Sequence, residues 1–385
     1  MDYHLDLLLN LPYATVENCA EIEGYCILTL RLLNETSTCI HCESEMDRVN
    51  QTNYILIRDL SISGKPVLLR VPRRQFHCGK CGKFSTEGLS FISWKHRYTK
   101  RYETWIYEQS KKMSLEQISR DEDLSPKTIK NIFTELANTT VKEEKWMNSK
   151  YLSLDEFANR KGHKSFKTTL VDLENHKLLE VINSHKSEEI CTALEKIPED
   201  LRNGVEEVSI DMWGGFVSVI ERVFPNAKIV YDHFHVIKNI NKELNQLRKI
   251  KKVKGKSLHY LLMKNKEDLE EEEKTNLQTF LLESPLLLIA YGLKEDLRDI
   301  YRSARNPQSA KRRLQKWLRY AKLFFKDSAA SIEKHLEGVC NYFEHHMTSG
   351  ITEGINTKIK LIKRRSYGLP EFEHLRLMLL TCLRA

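Results

Sequence analysis

Apolar positions before residue 95 come in short bursts separated by turn formers. Tyr25–Leu33, Tyr54–Leu60 and Pro66–Val71 are rich in Ile, Leu, Val and Tyr and predict strands, with Ser63-Gly64-Lys65-Pro66 as the hairpin turn between the last two. Helix formers take over from about Tyr98 to Trp146. From Tyr151 the order becomes strand, strand, strand, helix, strand, helix, strand. The strands are Tyr151–Phe157, Phe166–Leu173, Leu178–Ile182, Val205–Ile210 and Lys228–Tyr231. Between about Val236 and His345 everything reads helical and densely charged. A last helix covers about Thr352 to Arg364, with Ile351, Ile355, Ile359 and Ile362 as its buried stripe.

Within the helical stretch after Tyr98, local chemistry marks two helix starts. Ser114 with Gln117 predicts a capping box, and Ser125-Pro126 supplies an N-cap followed by proline at the first helical position. Asp121-Glu122-Asp123-Leu124 is the short turn between them. Ile129, Ile132, Phe133 and Leu136 would pack on Leu115 and Ile118, leaving Lys127, Thr128, Lys130 and Asn131 outward near the second helix's N-terminus. This is how a recognition helix presents side chains to a DNA major groove; an ordinary helical hairpin with a solvated face is the alternative.

Composition narrows the class. The chain has 385 residues, 41% hydrophobic and 30% charged, enough for two or three soluble domains. The net charge of +8 makes a polyanionic partner plausible but is spread along the chain. The start, Met1-Asp2-Tyr3-His4-Leu5-Asp6, lacks the features of a signal peptide, and the longest apolar run, Pro285 to Leu293, is too short for a membrane span. A cytoplasmic, nucleoid-associated location with no membrane partner is expected. In that reducing setting, Cys39-Ile40-His41-Cys42 and Cys78-Gly79-Lys80-Cys81 read as two halves of a structural Zn²⁺ site rather than disulfides. Arg70, Arg73, Arg74, Lys80 and Lys83 surround the second pair and suit a phosphate backbone, or a solvated surface.

Two acids stand out in the central region. Asp155 is expected at the end of its first strand and Asp211 at the end of its fourth. A carboxylate there is costly unless it is paired or binds a cation. If the fourth strand lies parallel beside the first, both acids reach one sheet edge and could share Mg²⁺. This is the element order of a ribonuclease-H-like domain, although acids at strand ends also arise by chance.

Beyond these patterns, nearly the full chain resembles the ISL-three family of bacterial insertion-sequence transposases. The resemblance is carried by the two Cys-x-x-Cys pairs, by Asp155-Glu156-Phe157-Ala158 with Arg160-Lys161-Gly162-His163, and by Phe224-Pro225-Asn226-Ala227. It continues in Asp232-His233-Phe234-His235-Val236-Ile237-Lys238, in Glu353-Gly354-Ile355-Asn356-Thr357-Lys358-Ile359-Lys360 and in Lys363-Arg364-Arg365-Ser366-Tyr367-Gly368. Thr348-Ser349-Gly350 and Gly214-Gly215 depart from the family pattern without touching its acids. The resemblance implies a DDE transposase with catalytic residues Asp155, Asp211 and Glu353 holding Mg²⁺ or Mn²⁺, and with Asp232 and His235 in support. Asp172, the other nearby acid, leads into the turn Glu174-Asn175-His176 and reads as a turn acid.

On the final helix Glu353, Asn356, Lys360 and Arg364 share a face, acidic at its start and basic along its length. That suits a metal ligand followed by DNA-binding Lys360 and Arg364, or simply a solvated face. In the charged helical stretch, Arg248, Lys249, Lys251, Lys252, Lys254 and Lys256 form one basic cluster. Lys311, Arg312, Arg313, Lys316 and Arg319 form another around Trp317, which is expected in the core. The whole predicts a multi-domain α/β protein: a zinc-ribbon-like domain at 1–95, a helix-turn-helix at 96–148, a ribonuclease-H-like core at 149–238 and 346–385, and an all-helical insertion at 239–345. The expected partners are double-stranded DNA, as terminal inverted repeats and target, and further copies of the chain in a synaptic complex. The competing functions are a repressor with a catalytically dead third domain and a ribonuclease-H-like nuclease or resolvase.

Overall fold

The computed structural model describes residues 3–143, 148–158, 166–212, 214–251, 257–347, 350–366 and 371–384. Arg160-Lys161-Gly162-His163, Trp213, Lys252, Lys254, Lys256, Thr348-Ser349 and Tyr367-Gly368 lie outside the described residues. The chain forms two compact units, Met1–Thr140 and Val141–Ala385.

In the first unit, helix α1 (Tyr3–Leu9) precedes strands β1 (Ala14–Ile22), β2 (Tyr25–Leu32), β3 (Ser37–Thr38), β4 (Glu45–Met46), β5 (Arg48–Ile62), β6 (Lys65–His77) and β7 (Phe84–Thr86). The main sheet runs β1-β2-β6-β5, with β7 paired to β6, and β3 pairs with β4 separately. The expected hairpin turn is present: Ser63 and Gly64 both have positive φ, which suits the twist of a two-residue hairpin loop. Its strands extend well beyond the expected apolar stretches, because β5 and β6 stay paired as far as Arg48 and His77. Strand β1, absent from the expectation, is polar and exposed over much of its length.

Three helices follow: α2 (Lys100–Ser110), α3 (Leu115–Glu122) and α4 (Pro126–Glu143). They are fastened to β5 by buried polar contacts. Asp59 accepts hydrogen bonds from Thr99 Oγ1 at 2.7 Å and Arg101 Nε at 2.7 Å, and Arg58 of β5 donates to Glu122 at 3.4 Å, while Glu122 also accepts from Tyr102 Oη of α2 at 2.8 Å. Their own core is Tyr102, Ile106, Ile118, Ile129 and Ile132, with Leu115, Leu124 and Leu136 at its margin.

The second unit is built on five strands: β8 (Tyr151–Ala158), β9 (Phe166–Asp172), β10 (Lys177–Ile182), β11 (Glu207–Ile210) and β12 (Lys228–Tyr231). Their order is β10-β9-β8-β11-β12. The first three form an antiparallel meander, while β11 is parallel to β8 and β12 is parallel to β11. Helices α5 (Ser187–Leu194) and α6 (Glu199–Asn203) lead into β11, and α7 (Val217–Val223) connects β11 to β12. Thereafter come α8 (His233–Ile250), α9 (Leu258–Met263), α10 (Glu271–Leu282), α11 (Pro285–Ser303), α12 (Pro307–Ala321), α13 (Lys326–Lys334) and α14 (Leu336–His345). These helices share one continuous apolar core with the sheet, from Leu154 and Val208 through Ile240 and Leu297 to Trp317 and Phe343.

Two helices close the chain, α15 (Gly350–Arg365) and α16 (Phe372–Leu383), the second lying against β10. On α15 the buried positions are Thr352, Ile355, Ile359 and Ile362, so Thr352 takes the place expected for Ile351. Trp317 is core as expected: its indole N–H donates to the Leu293 carbonyl at 2.7 Å and its ring stacks on Phe325.

Candidate active site and metal centre

Backbone register decides where the central acids fall. Parallel pairing aligns Tyr151, Leu152 and Ser153 of β8 with Glu207, Val208 and Ser209 of β11. Carried two positions further, that register sets Asp155 beside Asp211. The β11–β12 register aligns Ile210 with Tyr231, so its next step sets Asp211 beside Asp232. Three neighbouring strands therefore bring three aspartates into one row at the carboxyl ends of the parallel pair, where α/β sheets commonly bind ligands. Asp155 differs from expectation in one respect. It lies inside β8, which continues to Ala158, because β9 pairs with it as far as Phe166.

A cleft of about 220 Å³ opens over this row, lined by Asp155, Glu156, Asp211, Asp232, His235 and Lys238, and by Thr352, Glu353, Asn356 and Lys360 of α15. Helix periodicity explains the α15 contribution: positions 353, 356 and 360 share one face while the apolar stripe turns inward. The Asn356 amide donates to Asp155 Oδ2 at 2.6 Å, joining α15 directly to β8. Arg364 is exposed further along the helix, and Lys363 donates to the Ala158 carbonyl at 2.8 Å.

Asp232 and His235 are placed by helix capping. Asp232 is the N-cap of α8 and accepts from the Phe234 backbone N–H at 3.0 Å. His235, three residues on, then points back: its Nε2 lies 3.6 Å from Asp232 Oδ2 and its Nδ1 3.3 Å from Asp211 Oδ2. That hydrogen bond to Asp211 holds the His235 imidazole above its usual range, outweighing burial. Burial pushes the Asp211 carboxyl up, but the His235 contact and charge, with the Met212 N–H, outweigh it and leave Asp211 lowered. Asp155 behaves oppositely. Burial raises it despite hydrogen bonds from the Glu156 N–H and Asn356. Glu156 is also raised by burial, and Glu156 Oε1 and Asp232 Oδ2 are buried without a hydrogen-bond partner. Asp172 is a turn acid as expected, accepting from the Glu174 and Asn175 N–H groups at 2.8 and 2.9 Å.

In the first unit the four cysteines converge. The ligand atoms of Cys39, Cys42, Cys78 and Cys81 all lie within 4.8 Å of one another, the only group of three or more metal-ligating side chains so close among the described residues. Asp155, Asp211 and Glu353 line one cleft without being drawn that tightly together. The Cys39–Cys81 and Cys42–Cys78 sulfur separations are 3.7 and 3.6 Å. A tetrahedron with metal–sulfur arms of 2.3 Å has edges of about 3.8 Å, so the donors fit zinc. The two halves are built alike. Cys39 N–H donates to Ser44 O and Cys78 N–H to Lys83 O, both at 2.9 Å, and Glu43 and Gly82 occupy equivalent left-handed positions. Of the surrounding basic residues, Arg74 is consumed internally, bonded to both Glu87 carboxylate oxygens and to the Asn34 carbonyl. Arg70 and Arg73 lie over the rings of Tyr54 and Trp94.

In the helical segment of the same unit, Ser114 caps α3 through the Gln117 N–H at 3.2 Å. The reciprocal half of the expected capping box is absent, because the Gln117 side chain instead pairs with Asp121 and Arg120. Asp123 adopts the left-handed conformation that turns the chain, and Ser125 caps α4 through the Thr128 N–H at 3.1 Å. Lys127 and Asn131 are exposed and Lys130 half-buried, while Thr128 is drawn toward the cap, 2.8 Å from Ser125 Oγ.

A ribbon carrying four cysteines, two capped helices joined by a tight turn, and a carboxylate-lined sheet edge are the three features that family comparison can be set against. Family comparison agrees segment by segment. Residues 35–81 match the zinc finger of the transposases of IS204, IS1001, IS1096 and IS1165, and residues 87–137 match the helix-turn-helix domain of transposase family ISL3. Residues 152–379 match the DDE transposase domain of ISL3, well over half of the chain. The chain belongs to the ISL3 family of transposases. It is 28% identical over 351 residues to the transposase for insertion sequence element IS1001 of Bordetella parapertussis, covering 87% of this chain and 86% of that one. It is 24% identical over 267 residues to the transposase for element IS1557 of Mycobacterium tuberculosis, covering 60% of each chain. Among the described residues no helix is long and apolar enough to cross a membrane.

Proposed function

We propose that this transposase binds the terminal inverted repeats of its insertion sequence and performs divalent-metal-dependent strand cleavage and strand transfer at Asp155, Asp211 and Glu353. The observation that carries the reading is the register: Asp155 and Asp211 come abreast on adjacent parallel strands, under a helix that brings Glu353 to the same cleft. The strand order supports a ribonuclease-H-like core formed by 149–238 and 346–385, with 239–345 as a helical insertion sharing its apolar core. Residues 1–95 would be the zinc-ribbon-like domain and 96–148 the helix-turn-helix domain.

The cleft suits hard cations. Its donors are carboxylate oxygens, and two beside the triad, Glu156 Oε1 and Asp232 Oδ2, are buried without a hydrogen bond, which is costly unless a cation or proton arrives. Asp155, Asp211 and Glu353 would hold Mg²⁺ or Mn²⁺, which would activate a water or the DNA's own 3′-hydroxyl and offset charge on the scissile phosphate. The protein's own residues do the positioning. Asn356 fixes the Asp155 carboxylate through its donated hydrogen bond. His235, its imidazole pKa raised by the hydrogen bond to Asp211, stands between Asp211 and Asp232 and orients both. Lys238 and Lys360 flank the acids and are placed to hold phosphate oxygens on the DNA strand. Lys127, Thr128, Lys130, Asn131 and Arg364 would contact duplex DNA elsewhere, and a synaptic complex would require more than one copy of the chain.

A cleavage and joining assay on DNA carrying the element's own ends tests this. Nicked and joined products should form with Mg²⁺ or Mn²⁺ and vanish with a chelator. Tight, specific binding of the ends without any cleavage in either metal would favour the repressor reading. Cleavage without joining would favour the nuclease.

A further inference from the structure

Next to the carboxylate cleft lies a larger cavity, about 780 Å³, between α8 and the helices α9, α11 and α14. We propose that it receives one unstacked nucleotide of the DNA strand whose neighbouring phosphate occupies the cleft; this rests on the catalytic reading of that cleft. Three observations converge on such an occupant. The first is continuity: Phe234 and Lys238 line both spaces. Helix α8 then carries Asn241, Lys242 and Asn245 along the cavity at the spacing of a single face. From Phe234 to Asn245 that face runs roughly 16 Å at the rise of an α-helix, enough for a nucleotide next to the reacting phosphate.

The second is the wall. His233, Tyr301 and Tyr342 form a ring cluster with centroids 5.0 to 5.6 Å apart, and Phe234 stands 42% exposed at the mouth. Aromatic surfaces of this kind stack unpaired bases without regard to sequence. The third is unmet hydrogen bonding. Tyr301 is only 8% exposed, yet its hydroxyl has no hydrogen-bond partner, and neither does Asn241 Oδ1; His233 Nδ1 and Arg298 Nη1 also lack a hydrogen bond, with the Asp232 and Glu295 carboxylates near them at 3.6 and 3.9 Å. All four residues line the cavity. Buried polar atoms rarely go unsatisfied, and a cluster of donors and acceptors beside rings matches the polar edge and apolar face of a base. Lys238 and Lys242 are exposed at the rim, where the backbone phosphate of the inserted nucleotide would pass. Glu267, the acid of the lining, is already engaged by Arg298 at 2.5 Å. The volume lies within the range of small-ligand pockets and is large enough for one nucleotide.

The test uses the full-length protein and terminal-repeat duplexes carrying 2-aminopurine at one position at a time around the cleaved bond. Fluorescence is read before Mg²⁺ is added and cleavage afterwards. One position close to the scissile phosphate should brighten several-fold on binding. Asn241→Leu should cut that rise by at least half, and so should Lys242→Ala, an exposed substitution that leaves the packed wall in place. Duplex-level fluorescence at every position in a complex that goes on to cleave would overturn the pocket and leave the catalytic reading standing. A brightened position in a complex that never cleaves would support the pocket and contradict the catalytic reading. A protein that neither binds nor cleaves the ends would overturn both.

Discussion

Asn356 shows how one side chain ties distant sequence to the chemistry. It lies one turn after Glu353 and reaches Asp155, 201 residues earlier, with a 2.6 Å hydrogen bond. Groups that orient metal ligands usually matter by 10–100-fold in metal affinity or activity. Asn356→Ala is therefore expected to raise the Mg²⁺ concentration for half-maximal cleavage about tenfold while leaving DNA affinity near that of the parent. A metal titration that superimposes on the parent's would show that Asp155 needs no such tether. The sequence placed Asn356 on the same face as Glu353 through helix periodicity alone. Its partner was not legible, because only the tertiary fold brings α15 over β8. Asp155 was read as a strand terminus for a related reason: the pairing that extends β8 to Ala158 comes from β9, not from any feature of the strand itself.

At the level of elements, the zinc ribbon makes the sharpest forecast. Its knuckles bury Cys39 and Cys78 with Met46 and Phe76 in a very small apolar cluster, too little to hold the loops unaided. The protein is expected to contain about one zinc per chain through Cys39, Cys42, Cys78 and Cys81, and Cys39→Ser to lose it. Elemental analysis that finds no zinc, or finds it undiminished in that variant, would contradict the assignment. Helix α4, through its proposed DNA contacts, offers a second forecast. Each phosphate contact contributes roughly 0.9 to the log–log salt slope of binding, so Lys127→Ala with Lys130→Ala should flatten it by about 2. An unaltered slope would remove those lysines from the interface. A third concerns the core of the helical region: Trp317→Ala should destabilise the protein by about 3–5 kcal/mol, read by denaturant unfolding, because the ring is buried and its N–H hydrogen-bonded. Cysteine spacing, serine caps and the order of central strands were all legible because each is a local pattern. The outer halves of β5 and β6 were not, since their residues are largely exposed or polar and carry no apolar alternation. Helix α16 was missed although its residues are largely apolar and buried. The cavity wall of His233, Tyr301 and Tyr342 spans three helices, so no sequence window contains it.

Across the whole molecule, the proposed function separates most of the affinity from the chemistry. Of the residues proposed to contact duplex DNA, Lys127, Thr128, Lys130 and Asn131 lie in the first unit and Arg364 in the second, whereas the acids that would hold metal all lie in the second, at residues as separate as 155, 211 and 353. This division has a direct consequence: removing a single carboxylate should silence the reaction without releasing the DNA. The most direct measurement is therefore cleavage, joining and terminal-repeat binding followed side by side for Asp155→Ala, Asp211→Ala and Glu353→Ala in Mg²⁺. The account predicts that each variant loses cleavage and joining together, since one metal site serves both steps, and binds the ends with an affinity close to the parent's. Any one of the three retaining both reactions at the parent's rate would contradict it.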